Sequence, residues 1–231
     1  MTKRDDIREA VSTAWPIVLG YVAIGIPCGI LADSIGMNVL QVFLLSCLFY
    51  SGAGQFMIPN MMLAGSPIAS IIASVSLVNT RQMLYSASFA PLCEGVGKGL
   101  AFLFAATVTD ESFGVNMARF KEGGWSIGRA TIVNLCSLMS WTVSNVVGVL
   151  VGSAIGIPLA IASFAMTSIF ICLLVTQRVS AENVAAAVVA VLGVVVCKCV
   201  GLTGPAILIG ALAGVAAALG ASALRQGKGS R

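Results

Sequence analysis

The 231-residue chain is 58% hydrophobic and 10% charged, carries a formal net charge of +4 and contains no histidine. That balance lies far outside the range of a soluble globular domain and defines an integral membrane protein. Without histidine, Ser-His and Cys-His catalysis and histidine-ligated metal sites are excluded, because the base or ligand does not exist in the chain. The chain is expected not to be an enzyme, to need no cofactor and to bind no nucleic acid.

The apolar runs are continuous and rich in Ala, Leu, Val and Gly, whereas a membrane β-barrel alternates apolar and polar residues in segments of about 10. An all-α polytopic bundle is therefore predicted. The opening MTKRDDIREA reads as part of a charged cytoplasmic tail, residues 1–13, and not as a cleavable leader, since the apolar run behind it is followed by several of comparable length. Spans are predicted at 14–32, 38–62, 67–92, 99–118, 130–154, 158–176, 183–200 and 203–223, read between charges and Gly/Pro breaks. Together they form one transmembrane domain over 14–224, with a second cytoplasmic tail at 225–231. The third, seventh and eighth contain internal polar residues or Gly/Pro, so six spans plus re-entrant halves fit equally well.

Eight crossings from a cytoplasmic N-terminus leave ten of the 13 basic residues on the inner side and only Lys98 and Lys198 outside. This positive-inside bias favours an even number of spans with both termini cytoplasmic. The seven cysteines fall mostly in apolar runs and read as small packing residues. Cys197-Lys198-Cys199 has no second cysteine pair nearby to complete a metal site. A faint internal similarity links GILADSIGM (29–37) with GVLVGSAIGI (148–157), each downstream of a tryptophan, Trp15 and Trp141; such likeness is also what small-residue-rich helices produce by chance.

Three polar insertions interrupt the apolar runs. In LVNTRQMLYSASFAP (77–91), Arg81 lies in a run whose flanks are each too short to span alone, so it sits near mid-membrane. There a guanidinium costs about 2.5–3.5 kcal/mol on insertion scales and requires a partner or a wet cavity. Helical spacing places Arg81 and Tyr85 on one face and Asn79 and Gln82 on an adjoining one. In TVTDESFGV (107–115), Asp110 is the expected counter-ion for Arg81, with Glu111 beside it; the alternative is a helix ending near Thr109 with both acids in cytoplasmic water. In YSGAGQFMIPN (50–60), Gly52 and Gly54 ahead of Gln55 and Pro59 suggest either an unwound backbone that exposes polar groups to a small zwitterion or a plain packing seam.

YSGAGQF, LVNTRQMLYSASFAP and VTDESFGV, in this order and spacing, resemble motifs of the AzlC-type branched-chain amino acid permeases, whose usual forms read YAGAAQF, LLNLRHLLYGLSLAP and LTDETFAL. SWTVSNVVGVLVGSAIGIP and SFAMTSIFICLLV extend the likeness, which covers about residues 12–180. The resemblance implies export of branched-chain and related apolar amino acids from the bacterial cytoplasm, across the inner membrane, alongside a small separate subunit of the AzlD type. The family's polar positions carry over onto Gln55, Asn79, Arg81, Tyr85, Asp110 and Glu111, and with the neighbouring Gly52, Gly54 and Gln82 these are the candidate substrate-binding residues. Two departures stand out: Gln82 replaces a histidine and cannot titrate near neutral pH, and Ser163 stands where the family tends to place an acid.

The expected function is thus secondary export of small apolar amino acids. No Walker-type nucleotide motif is present. A non-transporting membrane scaffold and a passive small-solute channel are the alternatives, and a hydrolase is more remote for want of histidine.

Overall fold

The structure is a computed structural model that describes residues 3–155, 164, 167, 168, 171, 175, 180–201 and 206–229. The described residues form helices and no strand: α1 (Lys3–Asp33), α2 (Val39–Leu48), α3 (Gly52–Leu63), α4 (Ile68–Ser88), a 3-10 turn (Ala90–Cys93), α5 (Lys98–Ala106), α6 (Asp110–Glu122), α7 (Ile127–Ile155), α8 (Ala181–Cys199) and α9 (Ala206–Gly229). They fall into two compact units, 1–60 with 78–166, and 61–77 with 167–231. All nine candidate site residues lie in the first.

By length and composition α1 and α7 can each cross a bilayer. α4 has 21 residues, about 31 Å of helix, but its polar run Asn79–Gln82 dilutes its hydropathy. Leu48, Ile68 and Phe102 are 83%, 75% and 75% exposed, while Gln55, Asn116, Asn134 and Asn145 are buried. Apolar side chains outside and polar ones within is the distribution expected when the surrounding medium is lipid.

Two predicted spans are each broken. The 38–62 segment is two helices, α2 and α3, parted at Phe49–Ser51, and the 99–118 segment is α5 and α6, parted at Thr107–Thr109. The third predicted span, for which a re-entrant half was the alternative, is one helix: α4 runs unbroken through Arg81, and its Asn79, Arg81 and Gln82 side chains bond to neighbouring segments. The charged opening stretch forms the first turns of α1, with Asp5 and Asp6 placed where the helix N-terminal dipole favours acids. The span expected at 158–176 lies largely outside the described residues, as does Ser163.

Within the first unit α1 and α7 run side by side in the same direction. Arg129 pairs with Asp6 and Glu9 at one end, Ser140 Oγ donates to the Val18 carbonyl at 2.9 Å, and Gly29 meets Gly148 further along. A Cβ on Gly148 would stand 2.2 Å from the Ile26 carbonyl oxygen, and one on Gly29 2.0 Å from that of Asn145. Backbone thus lies directly on backbone, the close approach that glycines four apart (Gly25 and Gly29, Gly148 and Gly152) permit on each helix. Gly29 and Gly148 also begin the two stretches that resemble each other in sequence.

At the end where α1 begins, Arg119 of α6 pairs with Glu9 at 2.6 Å and with Glu122 at 3.1 Å. The guanidiniums of Arg119 and Arg129 lie 4.9 and 5.8 Å from the Trp125 ring centre, within cation–π range. Below this cluster Phe89, Phe104, Val108, Ile127 and Ala130 form a buried apolar core.

Candidate functional site: two helix breaks joined by α4

A broken helix leaves orphan carbonyls where it stops and orphan N–H groups where it resumes. At the first break the Gln55 amide turns back and donates to the Phe49 carbonyl at 2.6 Å and, at 3.5 Å, to that of Leu45. Its oxygen accepts from Ser46 Oγ at 3.2 Å and from Trp141 Nε1 of α7 at 3.0 Å. Gln55 is therefore fully engaged within the break. Gly54 is required there, since a Cβ would meet the Phe49 ring at 2.8 Å and Ser51 Oγ at 2.9 Å. Gly52 has space for one, 3.5 Å from the Trp141 ring.

At the second break Ser86 of α4 donates to the Ala105 carbonyl at 2.8 Å, and Asn134 of α7 donates to that of Phe104 at 3.3 Å. The helix resumes with Thr109 as N-cap in a reciprocal capping box with Ser112. Asp110 and Glu111 occupy the first turn of α6, where the dipole stabilises negative charge.

α4 serves both breaks. On one face Asn79 Oδ1 accepts from Ser51 Oγ at 2.6 Å and Gln82 Nε2 donates to the Tyr50 carbonyl at 3.3 Å. On the other, Arg81 Nη2 stands 2.8 Å from Asp110 Oδ2. Tyr85 lies beside Asp110 and Arg81 and stacks on Phe113 of α6 at 4.5 Å. The ion pair is not sealed in: its side chains are 28% and 22% exposed, while Arg81 Nε is buried without a hydrogen-bond partner.

Glu111 belongs to a different set of contacts. Its Oε2 accepts from the buried Tyr21 hydroxyl of α1 at 2.6 Å, and that hydroxyl also lies 2.8 Å from Thr109 Oγ1. The Tyr50 ring is 6.4 Å from that of Tyr21, and the Tyr50 hydroxyl is buried without a hydrogen-bond partner. The chain has three tyrosines, and all three gather around the Asp110–Glu111 pair.

The two faces read from the sequence are both present. Arg81, Tyr85 and Asp110 come together; Asn79 and Gln82 hold the first break; Gln55 is occupied within it. Tyr21, Tyr50, Ser51, Thr109, Asn134 and Trp141 were not anticipated as participants. Thr109 carried a signal, a Thr-x-x-Ser start just ahead of two acids, whereas Tyr21 and Asn134 are lone polar residues in apolar runs whose partners are remote in the chain.

A polytopic helical protein with two discontinuous helices meeting at a buried polar cluster is of the transport-related class of membrane proteins. The profile of the AzlC protein family matches residues 16–155, more than half of the chain, and the chain belongs to that family. It is 29% identical over 193 residues to the inner membrane protein YgaZ of Escherichia coli K12, covering 80% of this chain and 79% of that one. It is 27% identical over 186 residues to the branched-chain amino acid transport protein AzlC of Bacillus subtilis 168, covering 77% and 71%. A membrane protein of Archaeoglobus fulgidus is 26% identical over 217 residues, covering 93% and 94%. No solved structure matches the chain.

Proposed function

We propose that this protein is a permease of the bacterial inner membrane that exports branched-chain or other small apolar amino acids by secondary transport, with a small AzlD-type membrane subunit as partner. The observation that carries this reading is the Arg81–Asp110 pair, 2.8 Å apart and partly exposed where two helix breaks meet. An amino acid zwitterion carries the same two charges as the pair. Its carboxylate takes the guanidinium while its ammonium takes the Asp110 carboxylate, so two ion pairs replace one without a net charge being buried. Tyr85 and Phe113 supply an apolar wall for the side chain.

Gln55, Gly52 and Gly54 shape the site and Asn79 and Gln82 fix its walls, with Arg81 and Asp110 as the groups that meet substrate. The proposed orientation, both termini cytoplasmic, draws support from α1 and α7 beginning at the same end of their unit, among Asp6, Glu9, Arg119 and Arg129. That arrangement requires an odd number of crossings between them, which α2–α3, α4 and α5–α6 supply. The name of the Bacillus relative supports the substrate class.

The test is flux of radiolabelled valine or leucine into liposomes holding the full chain with any subunit that co-purifies with it. Saturable flux is expected, and Arg81→Ala, still monodisperse, lowers it at least about tenfold, the equivalent of one lost charged hydrogen bond of about 1.5–3 kcal/mol. Unchanged flux in that variant removes the site; flux that never saturates makes the protein a channel; no flux makes it a scaffold.

A further inference from the structure

The two adjacent acids of α6 differ in what surrounds them. Asp110 is committed to Arg81, whereas among the described residues no lysine or arginine is ion-paired with Glu111. Its bonded neighbour is a hydroxyl, Tyr21 at 2.6 Å, backed by Thr109 and by the unpartnered Tyr50 hydroxyl. A hydroxyl donates to a carboxylate and accepts from a carboxylic acid equally well. An arginine adds a charge attraction that only the carboxylate gains. Asp110, beside the Tyr85 hydroxyl, thus also has a fixed cation against it, whereas among the described residues Glu111 has hydroxyls alone.

Glu111 is also exposed, so a proton can reach it. The groups that face it are Tyr21 from α1, Tyr50 from the α2–α3 break and Tyr85 from α4, with the neighbouring Arg81 engaged by Asp110. A bound metal cation is a poor alternative, because one carboxylate with a hydroxyl donating toward it supplies too few oxygen ligands, and no group of three ligating side chains occurs among the described residues.

From this geometry we propose that Glu111 carries the coupling proton, binding it from one aqueous side and releasing it to the other in exchange for substrate held at Arg81 and Asp110. The step is a proton transfer alone: one O–H bond forms on the carboxylate and is later broken to water, and no electron changes hands. The proposal rests on the transport reading above, and the two fail separately in the following test.

Liposomes holding the full chain with its co-purifying subunit are loaded at acidic pH, diluted into neutral buffer with the voltage clamped at zero, and given labelled valine. One-for-one exchange with a tenfold proton gradient drives accumulation of up to about tenfold. Glu111→Gln, fixed in the uncharged form, is expected to keep valine/valine exchange within about twofold of wild type while its accumulation ratio falls to about one. Glu111→Asp, which restores a titratable group, is expected to recover accumulation, which a folding defect at this position would not allow. Accumulation by Glu111→Gln equal to wild type overturns the proposal and leaves the transport reading standing. So does wild-type exchange that never responds to the pH gradient, and so does loss of exchange in Glu111→Gln, which would place Glu111 in substrate binding. Absence of valine exchange in wild type overturns the transport reading itself.

Discussion

Trp141 Nε1 donates to Gln55 Oε1 at 3.0 Å, so that α7 holds the first helix break through a side chain 86 residues away. Trp141→Phe removes one neutral hydrogen bond while Ser46 still serves the same oxygen, and a loss of about 1 kcal/mol is expected. Gln55→Leu is worse, because the Trp141 indole N–H and the Ser46 hydroxyl lose their acceptor and the Phe49 carbonyl keeps only the Ser51 N–H; about 2–4 kcal/mol is expected. Thermal unfolding in detergent ranks the two. If Gln55→Leu unfolds no earlier than Trp141→Phe, Gln55 is not the cap of α2.

The Arg81–Asp110 pair should behave as a unit in stability measurements. Arg81→Ala leaves a carboxylate without its partner and Asp110→Ala leaves the guanidinium, so each single change costs more than half of what the pair is worth. The double variant is expected to be less destabilised than the sum of the two singles by about 1–2 kcal/mol, a figure held down by the partial exposure of both side chains. Denaturation of all four proteins in one detergent measures it, and strict additivity would mean that the two groups do not interact in solution.

The all-helical architecture and the polar clusters were legible in the sequence because length, hydropathy and its interruptions dictate them, and α1 and α7 are each long and apolar enough to cross a bilayer. The pairing of Arg81 with Asp110 followed from the penalty for an isolated buried charge. The breaks were harder. Phe49–Ser51 contains neither glycine nor proline, and Gly52 and Gly54 lie inside α3, Gly54 marking a close approach beside the break rather than the break itself. Asp110 was read as the counter-ion of Arg81, with a helix ending near Thr109 and both acids in cytoplasmic water as the alternative. A helix does stop there, at Ala106, but Asp110 pairs with Arg81 and Glu111 bonds to Tyr21. The Tyr21–Glu111 contact spans 90 residues, and no local pattern encodes it.

The α1–α7 crossing gives a contrast between glycines. Gly148→Val places side-chain atoms where the Ile26 carbonyl already stands, and since the obstacle is backbone on a neighbouring helix, nothing can rotate away. Loss of more than about 3 kcal/mol, or no folded protein at all, is expected. Gly20→Ala meets nothing within 4 Å on the same helix α1 and should be neutral to stabilising by up to about 1 kcal/mol from higher helix propensity. Yield of monodisperse protein and melting temperature decide, and comparable behaviour of the two variants would mean that the helices do not cross at this point.

Asn134 supports the second break as Trp141 supports the first. Its Oδ1 accepts from Asn116 Nδ2 at 3.0 Å, and its Nδ2 donates to the Phe104 carbonyl and Thr107 Oγ1, both at 3.3 Å. Asn116 in turn accepts from Trp125 Nε1 at 3.1 Å, so the chain of bonds runs from the break to the charged cluster around Arg119 and Arg129. Asn134→Leu, close in volume, takes a partner from three groups, of which the Phe104 carbonyl keeps the Thr107 N–H, and should lower stability by about 2–4 kcal/mol. Asn134→Ala also opens a cavity, but one with polar walls where water can stand in for the amide. It should therefore be no worse than leucine, the reverse of what an apolar core position gives, where truncation is the more damaging change. Should alanine prove the more destabilising of the two, Asn134 is filling space and the α5 terminus is held by Ser86 alone.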